Sequence, residues 1–385
     1  MKLHYYECGI RQLRKYNEEL CGDSIVVSRQ TDSLTVALSD GLGSGVKANI
    51  LATLTTQIAI HMLENGLPLD EVVWTLSETL PVDTIRKLAY STFLLAQFFY
   101  YVGGARVIEF DTPSMILLRS RKVQPVVYEE RSIQGKTIHE TALDLRDGDW
   151  VVFVSDGVLN AGIGGAYPLG WGWEHVVSFL EKHAHHDLSA EDLADKLAET
   201  VNDLYVGNPG DDVSIAVIKV RQKLVATILT GPPLNGRLDE EIVTKFFRNT
   251  GKLAVCGGTT AKIVARHLGQ EVQVDLTTMT PDVPPVGRLD GVDLVSEGIL
   301  TLTKTVRLLQ AGADRKTIRF QADGASNLLR LLLSVDHVHF IVGQAINPAH
   351  QNPGLPHHLD IRMAVVRDIM DELRKRGKEV TVETV

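Results

Sequence analysis

Cysteine is scarce in this chain of 385 residues, with three in all: Cys8, Cys21 and Cys256. They are too few and too scattered for a disulfide framework. None shares a metal-ligand spacing such as C-x-x-C, so free thiols in a reducing compartment are expected. Long apolar runs are missing as well. The most apolar stretch, Phe93 to Val102, is too short to span a bilayer. The start, Met1-Lys2-Leu3-His4-Tyr5-Tyr6-Glu7, lacks the apolar centre of a secretory signal, so a soluble cytoplasmic protein is expected. Basic charge is in deficit: 39 Lys and Arg stand against 48 Asp and Glu, a net charge of −9. Phosphate backbones and anionic lipid repel such a chain, so neither nucleic acid nor a membrane is an expected partner. Repeats and low-complexity segments are absent, and proline is concentrated only in Thr280 to Pro285. What is present, 44% hydrophobic and 23% charged residues, suffices for a packed core. The length points to two domains.

The pattern divides near residue 222. Before it, Ser33 to Ser39 alternates with period two and reads as a strand, running into the glycine-rich turn Asp40-Gly41-Leu42-Gly43-Ser44-Gly45. A helix follows, with Ile50, Leu54, Ile58 and Met62 recurring every four residues, and Pro68-Leu69-Asp70-Glu71 opens a second. Tyr90 to Tyr101, Ala105 to Phe110 and Met115 to Arg119 read as strands joined by short turns, which implies antiparallel pairing. Trp150 to Ser155 and Val213 to Val220 are further strands, separated by helices around Trp171 to Lys182 and Ser189 to Leu204. After residue 222, strands at Lys252 to Cys256, Glu271 to Leu276, Ile318 to Gln321, Val338 to Val342 and Glu379 to Glu383 are expected to alternate with helices at Thr260 to Leu268, Glu297 to Leu309, Ala325 to Leu333 and Asp360 to Arg376. That alternation predicts an α/β domain with a mostly parallel sheet over 222–385.

Chemistry concentrates in acids at strand ends. Asp40-Gly41 and Asp156-Gly157 each follow an apolar strand, Asp211-Asp212 precedes one, and Gly22-Asp23 precedes Ser24 to Val27. Asp-Gly alone is ordinary turn chemistry. Several carboxylates brought together by antiparallel strands repel one another unless cations neutralise them, and hard oxygen ligands favour Mg²⁺ or Mn²⁺.

Cys21-Gly22-Asp23-Ser24, Ser39-Asp40-Gly41-Leu42-Gly43-Ser44-Gly45, Val154-Ser155-Asp156-Gly157 and Gly210-Asp211-Asp212-Val213-Ser214 occur in that order. Together they resemble the motifs of the metal-dependent serine/threonine phosphatases (PPM, type 2C class), in the bacterial branch typified by the sporulation stage II protein E phosphatase domain. Tyr90-Ser91-Thr92 and Thr112-Pro113-Ser114 resemble that branch's middle strands, and the likeness runs over residues 5 to 221. It implies an α+β fold, an α-β-β-α sandwich of two antiparallel sheets flanked by helices, as a phosphatase domain over 1–221. It further implies two Mn²⁺ or Mg²⁺ ions, with Asp40 bridging them, the Gly41 carbonyl on the first, Asp156 and Asp211 on the second, and Asp23 beside them. Asp40, Asp156 and Asp211 would be catalytic, activating water against phosphoserine or phosphothreonine. The implied substrate is a phosphoprotein, such as a small anti-sigma antagonist or stress-signalling protein. Many eukaryotic members carry His where this chain has Leu42, and an N-terminal Arg that Arg11, Arg14 and Lys15 do not match in a motif; from sequence these three read as a solvated helix face.

Two other readings stay open. One is a catalytically weak phosphatase-fold binding module controlled by the C-terminal domain. The other gives residues 222–385 an activity of their own. There, Gly257, Gly258, Thr259 and Thr260 end a strand and open a helix, where N–H groups bind anions; a tight turn capped by threonine is the plainer account. A small-molecule effector is expected on that sheet edge, with the loop Gln344 to His358, Gly231-Pro232-Pro233 and Gln321 to Gly324 nearby. Asp323-Gly324 is read as a turn. His183, His185 and His186 sit at a helix end, and His337, His339, His350, His357 and His358 form a second set; solvated or core histidines are the plainer reading of both, and a metal site is the alternative.

Overall fold

The structure, a computed structural model, describes residues 4–79, 91–133, 136–314, 317–345 and 361–385. The chain folds as two compact units, Met1–Gln222 and Lys223–Val385. Among the described residues no helix is long and apolar enough to cross a membrane.

In the first unit, strands β1 (His4–Leu13), β2 (Asp23–Arg29) and β3 (Ser33–Asp40) lead into helices α1 (Gly45–Glu64) and α2 (Leu69–Thr79). Then come β4 (Phe93–Phe99), β5 (Gly104–Phe110), β6 (Ile116–Arg119), β7 (Lys122–Val123), β8 (Glu129–Ile133), β9 (Lys136–Asp144) and β10 (Trp150–Val154). Helices α3 (Asp156–Leu159), α4 (Gly172–His183) and α5 (Ala190–Leu204) precede β11 (Val213–Gln222). The strands form two sheets, β1–β11–β10–β6–β7 and β2–β3–β4–β5–β9–β8, with antiparallel pairing throughout.

Alternation along β3 sets the layers. Val36 and Leu38 face inward and meet Phe98, Val107, Phe153 and Ile218, drawn from both sheets. Ala37 faces the other way, towards Ala59, Ile60, Val72 and Leu76 of α1 and α2. On the opposite outer surface Val176, Leu180, Leu193 and Leu197 of α4 and α5 cover Val152 and Val217. Each large apolar side chain so buried contributes about 2 kcal/mol. The result is the α-β-β-α sandwich expected from sequence.

Three local expectations fail in this unit. The four-residue recurrence marks Ile50 and Leu54 as a core stripe of α1, yet they are 52% and 53% exposed. Small residues, Ala48, Ala52, Thr55, Thr56 and Ala59, face the sheet instead, and they let the helix backbone approach closely. A Cβ on Gly41 would lie 2.1 Å from the Ala48 carbonyl oxygen. The short turn at Thr112-Pro113 does not join paired strands: β5 lies in one sheet, and β6 crosses to the other to pair with β10. Finally, Arg11 lies in a strand, β1, rather than on a helix.

The second unit contains β12 (Val225–Thr230), α6 (Asp239–Arg248), β13 (Lys252–Cys256), α7 (Gly258–Leu268), β14 (Gln273–Asp275), β15 (Val286–Leu289) and β16 (Val292–Ser296). It continues with α8 (Ile299–Gln310), α9 (Gly324–Ser334), β17 (His337–Val342), α10 (Ile361–Lys375) and β18 (Glu379–Thr384). Its sheet runs β14–β15–β16–β13–β12–β17–β18. The five strands from β16 to β18 are parallel, and β14 and β15 add an antiparallel margin. Helices α6 and α7 pack on one face through Ile242, Phe246 and Val264; α8, α9 and α10 pack on the other through Leu302, Leu328 and Ile369. The expected strand at Ile318 to Gln321 is absent. That segment is a turn with Ile318 buried and Phe320 91% exposed, because four alternating residues with no neighbouring strand cannot pair.

Candidate active site

Both sheets of the first unit deliver acids to one place. Asp23 opens β2 and Asp40 closes β3, and they are direct partners across that antiparallel pair. Asp156 follows β10 at the start of α3, Asp211 lies just before β11, and β10 and β11 are paired neighbours. The strand ends are fastened. The Asp40 carbonyl accepts from the Thr92 N–H at 2.9 Å and the Ser91 hydroxyl at 3.0 Å, and the Asp40 N–H donates to Thr92 Oγ1. The Ser155 N–H donates to the Ser214 carbonyl at 2.9 Å, and the Ser214 N–H donates to Ser155 Oγ at 2.9 Å. Tyr90, which begins the sequence segment matched to this region, lies outside the described residues.

The acids feel one another. Burial raises the Asp40 carboxyl far above the usual range, and the charges of Asp23, Asp156 and Asp211 add to it. Asp23 is raised by burial and by Asp212 and Asp156, against the Ser214 and Ser155 hydroxyls, which lower it. Asp156 keeps solvent contact, yet partial desolvation and Asp211 raise its carboxyl too. Asp23 Oδ2 is buried without a hydrogen-bond partner. A buried carboxylate oxygen left unpaired is costly.

Asp212 does a different job. Buried at 4% exposure, it accepts the Lys15 N–H at 3.0 Å and so ties down the segment between β1 and β2. Tyr16 N–H to the Pro209 carbonyl, 2.8 Å, fastens the same segment. This places Lys15 Nζ 3.8 Å from Asp211 Oδ1, and its charge reaches Asp156. Sequence reasoning set Lys15 aside with Arg11 and Arg14. Arg11 is engaged by Asp195 and Glu191 of α5, and Arg14 donates to the Glu19 carbonyl. Its separation from Asp211-Asp212 by nearly the whole unit left no local signal for Lys15. Burial, then Asp23 and Asp212, raise the Cys21 thiol out of the reactive range.

Among the described residues no group of three or more His, Cys, Asp or Glu side chains is gathered closely enough to hold a metal ion as it stands. The donor set nonetheless suits a hard divalent cation: all oxygen, mutually repelling, and including one buried oxygen with no protein partner. The buried Glu109 marks the contrast, since it accepts from the Met115 N–H at 2.9 Å and the Tyr128 hydroxyl at 3.2 Å.

The remaining sequence candidates are dispersed. In the second unit Gly257, not a threonine, caps α7, at φ 139°; Gly258 and Thr259 are exposed and Thr260 is buried. Asp323 is the N-cap of α9, accepting from the Ala325 and Ser326 N–H groups, rather than a simple turn. It also lines a cavity of about 480 Å³ with Thr277, Thr278, Thr280, Lys304 and Gln321, where it is the sole carboxylate among the described residues. His337 and His339 share the Thr381 hydroxyl, each at 2.9 Å. His183 Nδ1 meets the Phe179 carbonyl, and His350, His357 and His358 lie outside the described residues, as does the loop from residue 346 onward.

The profile of the stage II sporulation protein E (SpoIIE) family matches residues 30–221. The first unit belongs to this family of PP2C phosphatase domains. The SpoIIE match takes in Asp40, Asp156 and Asp211, while Asp23 and Lys15 precede it. Among solved structures, the PP2C phosphatase domain with a fragment of the regulatory domain of SpoIIE from Bacillus subtilis is 19% identical, with a TM-score of 0.49 over 58% of this chain and 65% of that one. The chain thus covers just under two thirds of that structure's length. RsbX in complex with magnesium is 16% identical, with a TM-score of 0.43 over 57% of this chain and 100% of that one. The RsbU and RsbW domains of a Mycobacterium tuberculosis protein are 14% identical, with a TM-score of 0.46 over 64% of this chain and 68% of that one. No curated protein matches the chain.

Proposed function

We propose that the first unit hydrolyses phosphoserine or phosphothreonine in a partner protein, with two Mn²⁺ or Mg²⁺ ions held by Asp40, Asp156 and Asp211, the Gly41 carbonyl contributing and Asp23 beside them. The observation that carries this reading is the position of Asp40, directly opposite Asp23 and within the field of Asp156 and Asp211. When bound, such ions make a water available as hydroxide near neutral pH and offset charge on the phosphoryl oxygens.

The chain's own residues supply rigidity and charge. Asp40 is clamped through its backbone by Ser91 and Thr92, so its carboxylate needs little reorganisation. Lys15, held by Asp212 through its N–H, is assigned to the substrate phosphate. In the net reaction a water oxygen bonds to phosphorus as the bond to the serine or threonine oxygen breaks. The leaving oxygen takes up a proton. Leu42 has none to give, so that proton comes from water or from a group outside this loop. The implied substrate is a phosphoprotein of the anti-sigma antagonist or stress-signalling kind, with a small-molecule effector on the second unit.

Leu42 and the additional α/β unit favour a second reading, a catalytically weak phosphatase-fold module that binds its partner under control of the C-terminal unit. Phosphate release from a phosphoserine peptide and from an aryl phosphate, with Mn²⁺, separates the two. Turnover that EDTA removes and Asp40→Asn abolishes is expected. Peptide binding without release favours the module. No release with any divalent metal or at any pH, with Asp40→Asn indistinguishable from wild type, ends the phosphatase reading.

A further inference from the structure

The parallel strands of the second unit lie in the order β16–β13–β12–β17–β18. Taken in chain order this is third, second, first, fourth, fifth, so the direction of winding reverses between β12 and β17. Ligands of open α/β sheets sit at the carboxyl ends of the strands beside such a reversal. Here four consecutive strand ends carry glycine: Gly298 beyond β16, Gly257 beyond β13, Gly231 beyond β12 and Gly343 beyond β17.

These glycines are packed against one another. A Cβ on Gly298 would lie 3.4 Å from the Gly257 Cα, one on Gly257 would lie 4.0 Å from the Gly231 nitrogen, and one on Gly231 would lie 2.6 Å from the Gly343 oxygen. Gly231 and Gly257, at φ 83° and 139°, hold conformations that other residues rarely adopt. At Gly231 and Gly343 the strip is buried, beneath Pro232 and the Arg362 guanidinium, which donates to the Gly343 carbonyl. At Gly257 and Gly258 it comes to the surface, with nothing within 4 Å of a Cβ added to Gly258, and there the main chain is open to a ligand.

Helix α7 starts from this strip with no side chain capping its first N–H groups. Such a start attracts anions. An independent feature points the same way. Thr260, 2% exposed, has a buried hydroxyl without a hydrogen-bond partner. That hydroxyl stands 3.0 Å from where a Gly257 Cβ would be, so it is aimed into the turn. The adjoining strand end supplies an acceptor. Glu297 follows β16, its charge is felt at Cys256 at the end of β13, and one of its oxygens takes the Leu300 N–H at 3.0 Å. An acid at the tip of the strand beside a glycine turn is suited to a pair of sugar hydroxyls.

We propose that this strip binds a nucleoside phosphate, with the phosphate on the α7 start and the Thr260 hydroxyl, and the ribose hydroxyls on Glu297. The test is calorimetric titration of the full chain in EDTA, which keeps the acids of the first unit out of the measurement. The probes are ADP, GDP, CDP and UDP singly, the 2′-deoxy form of the tightest binder, and inorganic phosphate. One ribonucleotide binds, and Thr260→Val, matched in shape, weakens it by about tenfold. Glu297→Gln lowers the ribonucleotide to the affinity of its deoxy form. Should Thr260→Val misfold, seen as a lowered thermal transition, the Glu297→Gln comparison decides alone. No binding by any ribonucleotide, equal affinity for inorganic phosphate, or unchanged affinity in the variants overturns the proposal.

Discussion

The two units use strand ends in opposite ways. In the first, carboxylates stand at the termini of β2, β3, β10 and β11 and repel one another, the setting proposed above for cations. In the second, the ends of β16, β13, β12 and β17 carry glycine, and α7 offers uncapped N–H groups, the setting proposed above for an anion. Strand ends are rigid in both, and the residue type decides which charge is welcome. The first unit also contains its own control. Glu109 is as buried as Asp23, each at 3% exposure, but finds two protein donors, whereas Asp23 Oδ2 finds none.

The contrast breaks most sharply at Asp40. Asp40→Asn is expected to lower metal-dependent phosphate release by about 10³-fold, measured by steady-state assay. Because burial and the neighbouring acids disfavour a carboxylate at this position, the neutral amide should also raise the melting temperature of the metal-free chain. Next come the glycines. In the first unit they admit backbone: a Cβ on Gly157 would lie 2.0 Å from the Asp212 oxygen. Gly157→Ala should therefore cost about 3 kcal/mol in denaturant unfolding. Gly258, with nothing within 4 Å of an added Cβ, should accept Ala with stability unchanged or raised by up to ~1 kcal/mol.

Glu109 sharpens the comparison through pH. Burial pushes its carboxyl from 4.5 to about 7, against the lowering effect of its two donors. A pKa raised on folding means the folded state holds the proton longer. This contribution is therefore complete below pH 4.5 and is lost as pH rises through about 7, a loss of about 3 kcal/mol at most. Glu109→Gln, read by denaturant midpoints across that window, should flatten the slope. The smallest effect is at Lys15: Lys15→Met should raise KM for a phosphoserine peptide about tenfold with a smaller change in kcat.

The acids were legible in sequence because an apolar strand ending in Ser-Asp-Gly is local and occurs twice, at Asp40 and Asp156. So were the two sheet types, read from antiparallel runs in one half and strand–helix alternation in the other. Lys15 was not, since its place depends on Asp212 and Pro209, remote in sequence. Strand β12 was not, because it begins three residues after β11 ends, with no glycine or proline between them to mark a turn. The outward face of α1 was hidden because helix periodicity reports where large side chains lie, whereas this helix packs through its small ones. Thr260 was legible as a residue beside a glycine turn, but its unpartnered hydroxyl belongs to the packing alone.

The central claim is that acids from both sheets form one divalent-cation site. Anomalous scattering from a crystal grown with manganese tests it most directly. The account predicts manganese peaks bounded by Asp40, Asp156 and Asp211, and their loss in Asp40→Asn. An ordered cluster with no anomalous peak, or manganese bound elsewhere on the chain, would contradict it.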